Sequence, residues 1–315
     1  MANDMIPLLP LVFDVLIGSF DSPAPDFSRA KIAVDPEMIP TASSSERAFE
    51  TAKAELRACP LCGAIDRKLL AQRDGWDIVE CARCRMVFLG SELPYAVQAK
   101  DHDWVAEHGR EFASRKEKQP VMLFLSRCTR WLRPEPTERL LSQALVWSRG
   151  GKLVDFGCGD GRFLAAASKY FDVTGIELSP QGVELSRQKT SRERVLEGPV
   201  TEIAMRILPA VAFDVVTQYG YIEHEWQPLE GLRAAYRVLK PGGITILKTP
   251  NYASWNRHIR GMNWCGYHIP AHCNYFTPET LSRALREAGF QPLSRPLLDR
   301  FPTSDSLWMA ARKPA

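Results

Sequence analysis

The run Lys152-Leu-Val-Asp-Phe-Gly-Cys-Gly-Asp-Gly-Arg-Phe-Leu164 decides how the rest of the chain is read. Apolar Leu153 to Phe156 gives way to Gly157, Gly159 and Gly161 and then to Arg162–Tyr170, the pattern of a strand, a tight turn and a helix. Glycines at alternate positions admit positive φ and leave no Cβ between the backbone and a ligand at the helix N-terminus. The dinucleotide fingerprint Gly-x-Gly-x-x-Gly requires a glycine at position 162, where this chain has Arg162. Asp160, inside the loop, carries a charge that repels a pyrophosphate. The next apolar segment, Val173-Thr-Gly-Ile176, ends on Glu177, whose two oxygens can accept from both hydroxyls of a ribose. An adenosine ligand without a diphosphate satisfies both features.

These residues resemble the class I S-adenosylmethionine (SAM) methyltransferases, through Val154-Asp-Phe-Gly-Cys-Gly-Asp-Gly161 and Gly175-Ile-Glu-Leu-Ser179. The resemblance implies an α/β fold, a doubly wound Rossmann-like sheet holding SAM at Asp155, Gly157, Cys158, Gly159, Gly161, Glu177 and Leu178. Cys158 needs only to be small there, packing beneath the cofactor. A helix capped by Ser179 follows, with Pro180 in its first turn, and Val195-Leu-Glu-Gly198 reads as a third strand. Relatives often place Asp directly after that glycine to meet the adenine. Pro199 stands here, so packing by Val200 and backbone contacts are expected instead, with Glu202 a weaker candidate.

Phe213 to Thr217 is the expected fourth strand, opening into Gln218-Tyr-Gly-Tyr-Ile-Glu-His-Glu-Trp226. That segment resembles the "LEH" segment of small-molecule methyltransferases, including ubiquinone-type O-methyltransferases, and places Gln218 and Tyr219 at the ligand crevice. Leu229 to Leu239 is amphipathic, Lys240-Pro-Gly-Gly243 should end that helix, and Ile244 to Thr249 should be the next strand. The aromatic run Trp264 to Leu281 holds His268 and His272 ahead of a helix capped by Thr277, in a segment that relatives carry over the substrate mouth. That helix should close on Gly289, and Phe301 to Arg312 should supply the last strand pair.

Methyl transfer from a sulfonium asks the protein mainly to align acceptor, methyl and sulfur and to exclude water. A hydroxyl acceptor also needs a base, for which His224 and His272 are the candidates, with His268 and Glu223 behind them. The alternative for each histidine is a bracing role in its loop. A carbon or nitrogen acceptor would need less help.

Ahead of the cradle lie Cys59-Pro-Leu-Cys62 and Cys81-Ala-Arg-Cys84, a Cys-x2-Cys-x18-Cys-x2-Cys pattern. Cys59, Cys62, Cys81 and Cys84 have the spacing of a four-thiolate Zn2+ site, in which a full protein ligand set makes the metal structural. Arg85 stands where such knuckles often have glycine, which predicts a less regular second turn. Cys265 and Cys273 flank His268 and His272, but that spacing makes an awkward second cage.

The expected organisation is an N-terminal extension and linker over 1–55, a zinc ribbon over 56–92, a helical cap over 93–150 and the methyltransferase domain over 151–315. In the cap, 104–112, 121–132 and 138–147 read as helices, and His102 and His108 as solvent-facing. The apolar stretch Met5 to Phe20 is short and is interrupted by Pro7, Pro10 and Asp14, so no membrane span is expected. Cysteines paired for metal and the lack of a secretory signal point to the cytoplasm. The net charge of +3 disfavours nucleic acid as a partner, and the ribbon's basic residues are interleaved with acidic ones. A small-molecule methyl acceptor is the expected substrate, a sugar, quinone-like compound or secondary metabolite methylated at oxygen or carbon, and the combination of ribbon and cradle resembles zinc-ribbon methyltransferases acting on nucleotide-linked sugars or secondary metabolites. The alternatives are a nucleic-acid methyltransferase or binding protein that uses the ribbon, and a non-catalytic subunit with the SAM fold.

Overall fold

The computed structural model describes residues 56–91, 135–191, 194–293, 302 and 304–315. The N-terminal extension, the helices expected over 104–112 and 121–132, and His102 and His108 lie outside these residues.

Strands β1 (Arg67–Arg73), β2 (Trp76–Cys81) and β3 (Val87–Leu89) form the ribbon. Helix α1 (Pro136–Trp147) leads into β4 (Lys152–Phe156), α2 (Arg162–Ala167), β5 (Asp172–Glu177), α3 (Pro180–Lys189), β6 (Val195–Glu197), α4 (Val200–Arg206) and β7 (Phe213–Tyr219). Helix α5 (Pro228–Val238), β8 (Leu239–Pro250), α6 (Trp255–Arg260), β9 (Asn274–Tyr275), α7 (Pro278–Glu287), β10 (Gln291–Pro292) and β11 (Ser306–Arg312) complete the order.

Seven strands make one sheet in the order β10-β11-β8-β7-β4-β5-β6. The strands from β8 through β6 run parallel, while β11 lies antiparallel to β8 and to β10. The order reverses between β4 and β7, and at such a switch point the carboxyl ends of the strands open a ligand crevice. Helices cover both faces. Leu140 and Ala144 of α1, Phe163 and Leu164 of α2 and Val183 of α3 pack with Leu153, Val215 and Ile246 on one side. Ile203 of α4, Leu232 and Ala235 of α5 and Leu281 and Leu285 of α7 pack with Val154, Val216 and Leu247 on the other. Each fully buried leucine contributes about 1.5–3 kcal/mol of transfer free energy.

The helix starts follow local chemistry. The Ser179 hydroxyl accepts from Gly182 N at 3.3 Å. Thr277 and Thr280 satisfy each other's backbone N–H in a capping box at 3.2 and 2.9 Å. Gly289 (φ +95) follows the end of α7, as expected.

Three expectations need correction. The helix after the glycine loop stops at Ala167, short of Tyr170, where a turn carries the chain back to β5. Lys240 to Gly243 does not separate helix from strand: β8 begins at Leu239, paired with Phe213, and the register shift between Phe213 and Val215 absorbs the glycines. The last strand pair is β10 with β11, and the described residues 302, 304 and 305 lie outside strand.

The ribbon sheet has order β1-β2-β3-β9, so its fourth strand comes from the segment after His272. Val87 pairs with Tyr275 and Phe88 with Asn274. Among the described residues no helix is long and apolar enough to cross a membrane.

Candidate functional site

The glycine loop folds as its sequence requires. Gly157, Gly159 and Gly161 have φ of 73°, 55° and 76°. A Cβ on Gly161 would stand 2.7 Å from Ser186 Cα, so only glycine lets α2 approach α3. Asp160 is spoken for by Lys189 Nζ at 2.8 Å and Arg162 Nε at 2.6 Å, and against the pull of burial these two cations hold its carboxyl low.

Glu177 sits beneath this loop. Its Oε2 accepts from Gly159 N and its Oε1 from Ser179 N, each at 2.8 Å. Both oxygens expected to meet a ribose thus already hold backbone, each with a second lone pair left for a ligand. Burial raises the Glu177 pKa against those amides. Asp155, also buried, accepts from Thr217 Oγ1 at 2.7 Å, and burial together with Glu177 raises its pKa to about 8 despite that bond. The Glu177 carboxylate under an open glycine backbone favours a cationic nucleoside and opposes a pyrophosphate, so the cradle fits SAM.

Cys158 is buried, with its Sγ 3.7 Å from Ser186 Oγ, and burial raises its pKa well above the thiol norm, in keeping with a packing role. Leu178 is half-buried, and Val200 packs in the core beside Ile203. The Gln218 side chain is fully buried and donates to Thr245 Oγ1 at 2.9 Å. Tyr219, at the carboxyl end of β7, lies under Lys248 Nζ at 5.0 Å and beside Trp308 at 5.8 Å between ring centroids.

The loop after β7 and the segment after α6 bring the other candidates together. The rings of His224 and His272 meet edge to face with centroids 4.7 Å apart, and His268 stands 5.3 Å beyond His272. Ligand atoms of Glu223, His224 and His272 lie within 4.8 Å of one another, a set able to share a proton or hold a divalent cation. Glu223 is buried, its Oε2 has no hydrogen-bond partner among the described residues, and burial raises its pKa against the counter-charge of Lys248.

His272 Nδ1 lies 2.9 Å from the Gly266 carbonyl. A carbonyl only accepts, so in the neutral ring the proton sits on Nδ1 and Nε2 keeps its lone pair. Sequence reasoning missed Gly266. A Cβ there would run into the Trp264 indole, whose Nε1 is anchored on Asp305 at 2.8 Å. A glycine beside a buried tryptophan was the available signal.

In the ribbon, Cys59 and Cys84 Sγ are 3.4 Å apart, Cys62 and Cys81 Sγ 3.5 Å, and all four lie within 4.8 Å of one another. Tetrahedral zinc with bonds of about 2.3 Å sets thiolates roughly 3.8 Å apart, so the donor set fits. Burial pushes the Cys59 thiol up to about 11, whereas Cys81, against the pull of burial, is drawn down to about 7 by the backbone at Cys84 and Arg83 and by Cys62. The two knuckles match: Gly63 N donates to Cys59 O at 2.9 Å and Arg85 N to Cys81 O at 3.0 Å. Arg85 therefore takes the glycine conformation, φ +65, and the expected irregularity of the second turn is not found. Cys265 is exposed and Cys273 buried, and no cage forms between them and the histidines.

Arg57 ties the ribbon to this site. Its guanidinium donates to Cys273 O and Asn274 Oδ1, each at 3.0 Å, and to Trp226 O, and it stacks 4.7 Å over the Trp226 ring.

Comparison with known proteins agrees with the fold and with SAM as cofactor. A family model described as a methyltransferase domain matches residues 129–295, just over half of the chain. The ubiquinone biosynthesis O-methyltransferase of Cereibacter sphaeroides is 29% identical over 166 residues, covering 50% of this chain and 67% of that protein. The enzyme of the same name from Ruegeria pomeroyi is 30% identical over 165 residues, covering 46% of this chain and 62% of the relative's length. A chloroplastic 2-methyl-6-phytyl-1,4-hydroquinone methyltransferase of Oryza sativa is 35% identical over 115 residues, covering 35% and 34%.

Proposed function

Because this chain belongs to the methyltransferase-domain family and is a SAM-dependent methyltransferase, we propose that it methylates a small aromatic acceptor, a quinol-like hydroxyl or ring carbon, with His272 as the base. The observation that carries this reading is the Nδ1 contact to Gly266, which leaves Nε2 of His272 as an acceptor beside His224 and Glu223. When bound, SAM supplies an electrophilic methyl on a sulfonium that departs as a neutral thioether. The glycine loop and Glu177 hold the nucleoside. Nε2 of His272 takes the acceptor's hydroxyl proton, His224 packs the imidazole in place, and buried Glu223 lies close enough to favour the cation that forms. General-base assistance of this kind is worth roughly 10²- to 10⁴-fold.

Cys59, Cys62, Cys81 and Cys84 hold one structural zinc in this reading, and the reduced thiols it needs support a cytoplasmic setting. The relatives' names support a quinol-type acceptor for this chain, and the small net charge disfavours nucleic acid.

The test is single-turnover transfer of labelled methyl from saturating SAM to a panel of catechols, hydroquinones and nucleotide-linked sugars, with and without chelator. Transfer to a hydroxylated ring that falls at least about 100-fold in His272→Ala supports the assignment. Transfer that survives His272→Ala and His224→Ala within about threefold removes the base. Label found only on sugars removes the acceptor class.

A further inference from the structure

We infer that the cysteine ribbon is a positioning element of the methyl-transfer site, with Arg57 as its hub: metal bound by the four cysteines sets the alignment of Glu223 and His272 while leaving cofactor affinity unchanged. This rests on the reading that His272 meets the acceptor with Glu223 behind it.

The ribbon and the site share backbone. Strand β9 begins two residues after His272, and its pairing with β3 is continued by Leu89 N donating to Cys273 O at 3.0 Å. Opposite that edge, the Glu223 carbonyl accepts from Cys273 N at 2.9 Å and Asn274 N at 3.1 Å. The Asn274 side chain donates to Ile222 O at 3.2 Å and Glu225 O at 2.6 Å. The strand that closes the ribbon is therefore also the support on which the loop after β7 rests.

Arg57, two residues before the first thiol, fastens this junction from the ribbon side. It is 5% exposed, sandwiched between Trp226 at 4.7 Å and Phe88 at 5.6 Å, and donates to carbonyls of both segments that carry the histidines. A planar fork with five donors can bridge three acceptors in fixed directions, which lysine cannot. The metal's contribution reaches the site through β2: Cys81, a ligand in the proposed zinc site, ends that strand, and β2 pairs with β3 through Val79 and Phe88. The cofactor cradle lies on other elements. Gly157 to Gly161 and Glu177 are held by β4, β5 and α3; β4 and β5 share a buried cluster with the ribbon, but none of the three pairs with a ribbon strand. Loosening the ribbon should thus move one wall of the site and leave the other in place. Displacements of an ångström at such a wall cost up to about 10²-fold in rate.

The test uses the full chain in three forms: zinc-loaded wild type, wild type stripped with chelator, and zinc-loaded Arg57→Met. Three readouts are taken, namely hydrogen exchange by mass spectrometry, calorimetric affinity for S-adenosylhomocysteine, and single-turnover rate. Exchange at 222–226 and 272–276 should rise at least about tenfold in both perturbed forms, with 153–164 unchanged and affinity within about twofold. The rate constant should fall about tenfold or more with little change in the acceptor's apparent KM, and Arg57→Lys should restore part of it. Faster exchange confined to 56–91 with an unchanged rate would overturn the inference. So would loss of cofactor affinity in step with rate, because the ribbon would then only stabilise the fold. Should Arg57→Met not fold, Arg57→Lys and the stripped wild type decide by the same comparison. If no acceptor on the panel is methylated, the acceptor reading fails while exchange and affinity still test the coupling.

Discussion

Replacing Glu177 with glutamine tests the cradle with a change of a single atom. The wild-type carboxylate accepts two backbone N–H groups at 2.8 Å, from Gly159 and Ser179, inside a buried site. Glutamine keeps one oxygen and must aim its NH₂ at the other N–H. Each charge-assisted bond is worth about 1.5–3 kcal/mol, a neutral one about 0.5–1.5, and an orphaned buried donor costs about 1–3. Opposing this, removing the charge relieves the repulsion that helps raise Asp155. The net loss of fold stability should be about 1–3 kcal/mol. Cofactor binding loses a charged acceptor for the ribose as well, so affinity should weaken by roughly ten- to a hundredfold. Urea unfolding measures the first quantity, and isothermal titration with SAM and S-adenosylhomocysteine the second. An unmoved urea midpoint together with a Kd changed by less than about threefold would refute the argument, because neither the loop nor the ribose would then depend on this carboxylate.

Cys62→Ser should abolish binding of about one zinc per chain by metal analysis and lower the melting temperature; equal stability with chelator present would remove the structural metal. The Asp155 carboxyl, raised from 3.8 to about 8, binds its proton more tightly in the folded chain, so its contribution to stability is full below pH 3.8 and declines as pH rises to about 8. Asp155→Asn should flatten that part of the stability–pH curve and gain on the wild type above pH 8, as urea titrations across pH would show. Gly266→Ala drives a methyl into Trp264 and displaces the carbonyl that fixes the His272 tautomer, so single-turnover rate should fall at least about tenfold while SAM affinity holds.

Much of the fold was legible because its signals are local. Leu153 to Phe156, the glycine loop, Ser179-Pro180 and Thr277-Pro278 each carry a strand, turn or cap within a few residues, and the structure places each accordingly. The cysteine spacing was equally direct. That the loop after β7 and the segment after α6 share one crevice was readable by combining them with the rule that strand ends form it, but the sequence sets His224 and His272 on opposite sides of that cleft, whereas the structure puts their rings in contact. What the sequence hid depends on partners distant along the chain. The Lys240–Gly243 turn is absorbed into β8 because Phe213 and Lys313 pair with its ends. Gly266 is required by the indole of Trp264, and Arg57 reads as one more basic residue in a mixed-charge stretch until Cys273 and Trp226 are set beside it. Glu177 was assigned to a ligand, but its two oxygens also close the loop that the ligand would rest on.

The closure of the ribbon by β9 also constrains how the chain is built. Arg57 and its acceptor at Cys273 are separated by 216 positions. On the ribosome, where residues are added at about 5–20 per second, the knuckles can capture zinc long before the strand that covers the edge of β3 emerges from the exit tunnel. For that interval Val87, Phe88 and Leu89, all buried in the finished protein, present an unpaired apolar edge. An excised ribbon keeps that edge for good, so a metal-loaded fragment ending near residue 91 should self-associate where the full chain does not. Chaperone demand during synthesis should accordingly be set by the delay before β9 arrives, and moving the ribbon to the C-terminus by circular permutation should shorten it.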